Sequence, residues 1–490
     1  MIHHQSISTL RQFTRTTIIF CMVLALPACV KQAANPESVA QHRAKNIILF
    51  IGDGMGVSTV TAARIFDGQS RGMTGEENWL EFERFPNVAL VKTYNSNQQV
   101  PDSAGTATAM VTGRKTRAGV INVGPEARRR DCSEALAKPL QSIGEIAQQH
   151  GMAVGFVTTT RVTHATPATL YAHSPERDWE ADWPILAADW TLGCRDMAYQ
   201  LVHMDGLGLD VAMGGGRREF FGSGLGGKRR DPEDDLVKQW LAARPGRSYI
   251  TTADQLTSLK HGDQVLGLFA NSHMTYIAER GKDSSEPSLS QMTVAAIDLL
   301  AGNEQGFFLM VEGGRIDHGH HDGKPGYALL EAQEFNRAVG VALKKVDLKD
   351  TLVLVTADHS HVFTMSGYPT RGNPILGLVA GNDKRGEPNS GPTIAADGQP
   401  YTTLGYTNGP GAVTALPRPA PQTGIGAVAQ ALLPLVSEDI EGTLSSDETH
   451  GGEDVALYGT GVGAERVRGV IEQNRIFDIM MAALGLKMAE

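Results

Sequence analysis

Cysteine is scarce in this chain. Of 490 residues only four are cysteine, and Cys21 and Cys29 fall in a stretch ahead of the folded part. Cys132 and Cys194 remain; in an oxidising compartment two such cysteines either pair or stand apart as buried thiols. A bond between them would be structural, not catalytic. A bilayer-spanning run is missing too. Ile18 to Leu26 is too short, and Arg11 and Arg15 ahead of it give the make-up of a secretory signal. The tail, Met480 to Glu490, is amphipathic and offers no hydrophobic anchor for a C-terminal lipid signal. Positive charge is in deficit: the net charge of −10 argues against a nucleic-acid surface. It leaves an anionic substrate open, because bound metal ions set their own local field. No P-loop lysine pattern occurs, and Val57 stands where the last glycine of a dinucleotide fingerprint belongs, so nucleotide-driven chemistry is disfavoured. With 41% hydrophobic and 20% charged residues, wholesale disorder is excluded, and the length suits one large domain or two.

The N-terminal signal ends Leu26-Pro27-Ala28-Cys29, which resembles the lipobox of bacterial lipoproteins. Residues 1–29 are expected to be a leader, with Cys29 the candidate for lipidation and residues 30–44 a polar tether. Pro27 is not the usual small residue at its position, so ordinary cleavage near Ala28 or Ala34 stands as the other reading. Either way the protein is exported, to the periplasm or to the outer membrane or cell surface of a bacterium as a lipoprotein. A membrane tether would run through the Cys29 lipid.

What the chain does have is concentrated at 310–321, Met-Val-Glu-Gly-Gly-Arg-Ile-Asp-His-Gly-His-His. An apolar run, Phe307 to Val311, breaks into a carboxylate, two glycines, a second carboxylate and three imidazoles. Asp317 and His321 are four apart, so one helical turn puts both on one face. Carboxylate and imidazole without thiolate suit zinc, manganese or magnesium rather than iron–sulfur or copper(I) chemistry. Other apolar runs end in the same way. Asn46 to Ile51 leads into Asp53, Met152 to Val157 into threonines and His164, and Leu352 to Val355 into Asp358 and His359. Short, continuously apolar runs fit strands buried on both faces. Helical periodicity over Ala328 to Val346 and Ser142 to His150 lies among them. The pattern predicts an α/β fold: a central, largely parallel β-sheet with helices on both faces, and ligands beyond the carboxyl ends of its strands. Residues 371–445, rich in turns such as Asn408-Gly-Pro-Gly411, read as a loop-rich insertion rather than a sheet layer. No internal repeat is apparent.

Asp102-Ser103-Ala-Gly-Thr-Ala-Thr-Ala-Met110 suits a closely packed helix with Ser103 at its N-terminus, where free amides favour an anion. Beside a metal such a hydroxyl becomes a nucleophile; alone it is an N-cap serine. The assembled motifs resemble the alkaline phosphatase family from about residue 45 to the C-terminus. They are Gly52-Asp-Gly-Met-Gly56, Pro101-Asp-Ser-Ala104, His164-Ala-Thr-Pro-Ala168, Val311 to His321, Thr356-Ala-Asp-His-Ser-His361 and Thr449-His-Gly-Gly-Glu453, in family order. The resemblance implies a catalytic domain over 45–490, two zinc ions and one magnesium, and phosphate monoesters hydrolysed through a phosphoserine on Ser103. It puts Asp317, His321 and His450 on the leaving-group zinc, and Asp53, Asp358 and His359 on the second. Magnesium falls to Asp53, Thr166 and Glu312, with His164 and His318 as tuning residues beside the metals. Arg177 matches the arginine that grips two phosphate oxygens, and Asp102 orients it. Histidines at 164 and 318 follow the animal-type branch, as does a Cys132–Cys194 disulfide. Ala270 falls near the place of a glutamate at that branch's additional calcium site, so that site is not expected. A homodimer is implied by the family alone.

Three other functions compete. A diesterase is disfavoured by Arg177, since a diester offers the fork one charged oxygen fewer. A sulfatase needs a cysteine or serine in a C/S-x-P-x-R setting, and Ser103 is followed by Ala104-Gly105-Thr106-Ala107. A non-catalytic lipoprotein that scavenges phosphate or metal would not need the full set of reacting groups.

Overall fold

A computed structural model describes residues 43–486 except 205, 207, 414–416, 435–436, 439–443 and 446. The leader, Cys29 and nearly all of the 30–44 tether lie outside the described residues. The four apolar runs become β1 (Asn46–Gly52), β3 (Ala153–Arg161), β7 (Phe307–Glu312) and β8 (Thr351–Ala357). Every residue of β7 and β8 is buried, so both faces of the sheet are covered, as their unbroken hydrophobicity requires. Six more strands complete the sheet: β2 (Asn87–Lys92), β4 (Val211–Gly215), β5 (Arg247–Ile250), β6 (Gln264–Leu268), Val455–Gly461 and Gly469–Glu472. The order across it is Gly469–Glu472, β2, Val455–Gly461, β8, β1, β7, β3, β4, β6, β5. From β8 to β5 the pairings are all parallel; Val455–Gly461 is antiparallel to both its neighbours. The four central strands β8, β1, β7 and β3 therefore deliver Asp358, Asp53, Glu312 and the approach to His164 to one edge.

The 21-residue helix Pro325–Lys345 buries Phe335 edge-on to Phe50 of β1 and sits beside the shorter helix Arg315–His321. Gly319 makes that approach possible, since a β-carbon there would lie 2.6 Å from the amide nitrogen of Ala328. The described residues of 371–445 give no strand to the main sheet, but they are not all loop. Leu404–Asn408 and Ala431–Leu433 join Phe363–Met365 in a small three-stranded sheet. Leu404, Tyr406 and Asn408 alternate inward, and glycines and prolines around them mask so short a period. Cys132 and Cys194 are bonded, Cα to Cα 6.0 Å, closing the alternative of separate thiols. Among the described residues no helix is long and apolar enough to cross a membrane.

Candidate metal centre

Ser103 opens the helix Ser103–Thr112, but it does not cap it. That work falls to Asp102, whose carboxylate accepts from the Gly105 amide at 3.1 Å. The Ser103 hydroxyl is thereby free to face inward, 3.2 Å from His359 Nε2 and 3.5 Å from Asp53 Oδ1. Asp102 also accepts from the Gly119 amide at 2.9 Å and from Asn95 at 2.9 Å. Its second oxygen holds Arg177 Nη1 at 3.1 Å, and the backbone amide of Arg177 donates to Gly119. Burial disfavours the charge on Asp102, yet Arg177 and the two amides keep its carboxyl below the usual range. Nucleophile and guanidinium are thus fixed through one carboxylate.

Three imidazoles converge beside them. His321 Nε2 and His450 Nε2 stand 3.1 Å apart, and lie 3.3 and 3.5 Å from Asp317 Oδ1. His359 Nε2 lies 3.4 Å from Asp53 and 3.3 Å from Asp358. In each ring Nδ1 is taken by a backbone carbonyl: Glu448 for His321, Pro101 for His450 and Ser360 for His359. With Nδ1–H donating outward, each Nε2 keeps a lone pair aimed at the cluster, the arrangement of metal-ligating histidine. Burial drives His359 down to about 3, so it stays neutral. Asp317 carries its charge despite burial, because His321 and His361 hold its carboxyl well below the usual range.

A third group is all oxygen. Asp53 Oδ2, Thr166 Oγ1 and Glu312 Oε1 are buried and have no hydrogen-bond partner. Orphaned buried acceptors are costly, and three from different elements point to a cation. Burial and the charges of Asp358, Asp317 and Glu312 push Asp53 well above the usual carboxylate range. Burial likewise lifts Glu312 to about 7, against the hydroxyls of Thr158 and Thr160, and Asp358 to about 6. Four carboxylates this close repel one another until positive charge is supplied. The donor sets fit divalent ions, oxygen-only for a hard cation and imidazole–carboxylate for zinc.

Of the residues singled out in the sequence, Asp53, Asp102, Ser103, Asp317, His321, Asp358, His359 and His450 meet in one cluster, with Thr166 and Glu312 behind it. His164 lies 3.3 Å from Arg177 Nη2, and one of its ring nitrogens lies within 4.8 Å of carboxylate oxygens of Asp53 and Glu312. His318 sits one wall further out, 2.9 Å from Arg315 Nη1 and 4.0 Å from Asp317. His320 is no ligand, being bonded to the hydroxyls of Thr59 and Tyr406. Sequence reasoning missed His361 and Glu448. His361 Nε2 is 2.7 Å from Asp317 and its Nδ1 contacts Glu448, whose other oxygen accepts the Val362 amide. Burial opposes a charge on His361, but the two carboxylates outweigh it and raise it to about 10. A signal existed: His359 and His361 are two apart, and extended backbone places both on one face. Glu448 had none, because its role arises where Ser360–His361 pairs with His450–Gly451.

The alkaline phosphatase family model matches residues 44–486. The tissue-nonspecific alkaline phosphatase of Gallus gallus is 43% identical over 472 residues, 91% of this chain and 86% of its own. The human tissue-nonspecific isozyme is 42% identical over 478 residues, 93% of this chain and 86% of its own. Among solved structures, Thermus thermophilus alkaline phosphatase superposes with a TM-score of 0.64 at 25% identity, covering 95% of this chain and 96% of that one.

Proposed function

The chain belongs to the alkaline phosphatase family and is a metal-dependent phosphomonoesterase, and we propose that it works through a phosphoserine formed on Ser103. Asp317, His321 and His450 would hold one zinc, Asp53, Asp358 and His359 the second, and Asp53, Thr166 and Glu312 a magnesium. When bound, these ions supply neutralising charge for the phosphate dianion, for the serine oxygen and for the departing oxygen. The Arg177 guanidinium takes two phosphate oxygens as a fork while Asp102 fixes its plane. Ser103 Oγ gives up its proton and attacks phosphorus, the Oγ–P bond forms and the P–O bond to the alcohol breaks, the departing oxygen taking up a proton from solvent. Water then attacks phosphorus from the vacated side, the Oγ–P bond breaks, and the serine hydroxyl and inorganic phosphate are restored. His164, kept neutral by burial and by Arg177, tunes the field beside Asp53 and Glu312. His318, kept neutral by burial and by Arg315, does the same beside Asp317.

The observation that carries this reading is the uncapped Ser103 hydroxyl, held between His359 and Asp53 while Asp102 binds Arg177. The protein is expected to hydrolyse p-nitrophenyl phosphate at alkaline pH, to lose activity in chelator, and to regain it with zinc and magnesium. Ser103→Ala should cut turnover by on the order of a thousandfold or more. Full activity in that variant removes the nucleophile, and equal rates on a diester remove the Arg177 fork. The same reading extends to an exported protein with a 1–29 leader, a tether through Cys29 and residues 30–44, and a homodimer.

A further inference from the structure

A pocket of about 600 Å³ opens over His321 and His450 and runs outward past His318 to Arg315, Tyr276 and His273. Arg315 is the first residue of its helix, with the guanidinium 3.5 Å from the Tyr276 ring centroid and Nη1 2.9 Å from His318 Nδ1. Among the described residues it has no ion-pair partner, and its Nε is buried with no hydrogen-bond partner. The neighbouring arginines differ: Arg177 is paired with Asp102 and Arg161 with Glu180. Two carboxylates of the pocket wall are already engaged. Asp322 accepts from the Tyr276 hydroxyl at 3.2 Å and from Lys324 at 3.4 Å, while Glu448 is taken by His361 and the Val362 amide. Asp447 stands at the solvent-exposed rim. The wall nearest His318 therefore carries a positive charge with no ion-pair partner among the described residues, on a rigid, ring-backed fork.

We propose that Arg315 makes this pocket a subsite for leaving groups that bear a carboxylate. The inference rests on the reading above, in which the alcohol departs on the side of Asp317, His321 and His450. An alcohol leaving there enters the pocket, and a carboxylate a few atoms from its oxygen reaches the Arg315 fork. The guanidinium then gains the partner that the protein itself withholds.

The test uses a matched pair, 3-phosphoglycerate and glycerol 3-phosphate, which differ in a carboxylate against a hydroxymethyl group. At low ionic strength the metal-loaded wild type should show a kcat/KM for the carboxylate about tenfold higher. That preference should shrink as salt is raised. Arg315→Gln should bring the ratio to about one or below, whereas Arg315→Lys should keep part of it. Inhibition by inorganic phosphate, which has no leaving group, should stay within about twofold of wild type in Arg315→Gln. A wild-type ratio near one overturns the subsite without any variant. An unchanged ratio in Arg315→Gln overturns it as well, and so does weakened phosphate inhibition, which would put Arg315 on the transferred group. Failure of the underlying reading looks different: turnover of both substrates then survives Ser103→Ala.

Discussion

Glu448 holds two imidazoles at once, and does so with two different groups. Its carbonyl accepts from His321, a candidate zinc ligand, and its carboxylate accepts from His361, which in turn bonds Asp317. Removing the charge while keeping the backbone separates these functions. Glu448→Gln leaves the His321 bond in place but deprives His361 of one of the two carboxylates that raise it, so its positive charge beside Asp317 is weakened. Such outer partners are typically worth ten- to a hundredfold in metal affinity, so zinc should be lost at roughly ten times lower chelator concentration. Chelator titration with zinc measured in the retained protein reads this directly, apart from catalysis. Unchanged retention would mean that His361 only fills space. Asp53, Glu312, Asp317, His321, Asp358 and His359 stand at the end of an apolar run or in a short spacing, whereas His450 and Thr166 came only with the family resemblance. His361 was signalled only by its spacing from His359, and Glu448 not at all, since nothing local to residue 448 records that His450–Gly451 will pair with Ser360–His361.

Helices and strands were legible where one period runs unbroken. β1, β3, β7, β8 and the helix Pro325–Lys345 fall where their apolar patterns put them. β4, Val-Ala-Met-Gly-Gly, and the half-exposed β5 carry too little hydrophobic signal to stand out, and the sheet around 404–433 is cut into short pieces by turns. The element on which most depends is Arg315–His321, whose single turn from Asp317 to His321 aligns both side chains. Its position is set by contact with the next helix at Gly319. A β-carbon there meets the Ala328 amide nitrogen at 2.6 Å and the Ala328 α-carbon at 2.9 Å, backbone atoms inside a helix that cannot step aside. Gly319→Ala should therefore displace the short helix, with overpacking worth about 1–3 kcal/mol. Loss of zinc affinity should accompany the lower melting temperature. Gly281→Ala, where a β-carbon meets nothing within 4 Å, is the control and should alter neither. A Gly319→Ala protein that melts lower yet keeps its zinc would uncouple helix position from ligand geometry.

At the scale of the molecule, the candidate zinc ligands and the disulfide belong to different parts of the architecture. The ligands cluster beyond the carboxyl ends of β1, β7 and β8 in the middle of the sheet, where neighbouring strands constrain them on both sides. Cys132 and Cys194 lie in connections outside the sheet, 62 residues apart, and close a loop that contains β3 and the segment bearing Arg177. Trp179 and Ile185 pack against the two cysteines in a small buried cluster of their own. Cross-linking a loop of that length removes up to about 4 kcal/mol of unfolded-state freedom. Replacing both cysteines by serine should lower the melting temperature of the oxidised protein, and reductant should do the same to wild type and nothing to the variant. Zinc retention should be unchanged, because none of the candidate zinc ligands lies in the loop that the bond closes. The Michaelis constant for a monoester should move little, because Arg177 is tied independently by Asp102 and by its own amide to Gly119. If zinc retention fell together with melting temperature, the sheet would not be holding the ligands by itself, and the centre would have to be regarded as braced from outside by the disulfide-bonded connection.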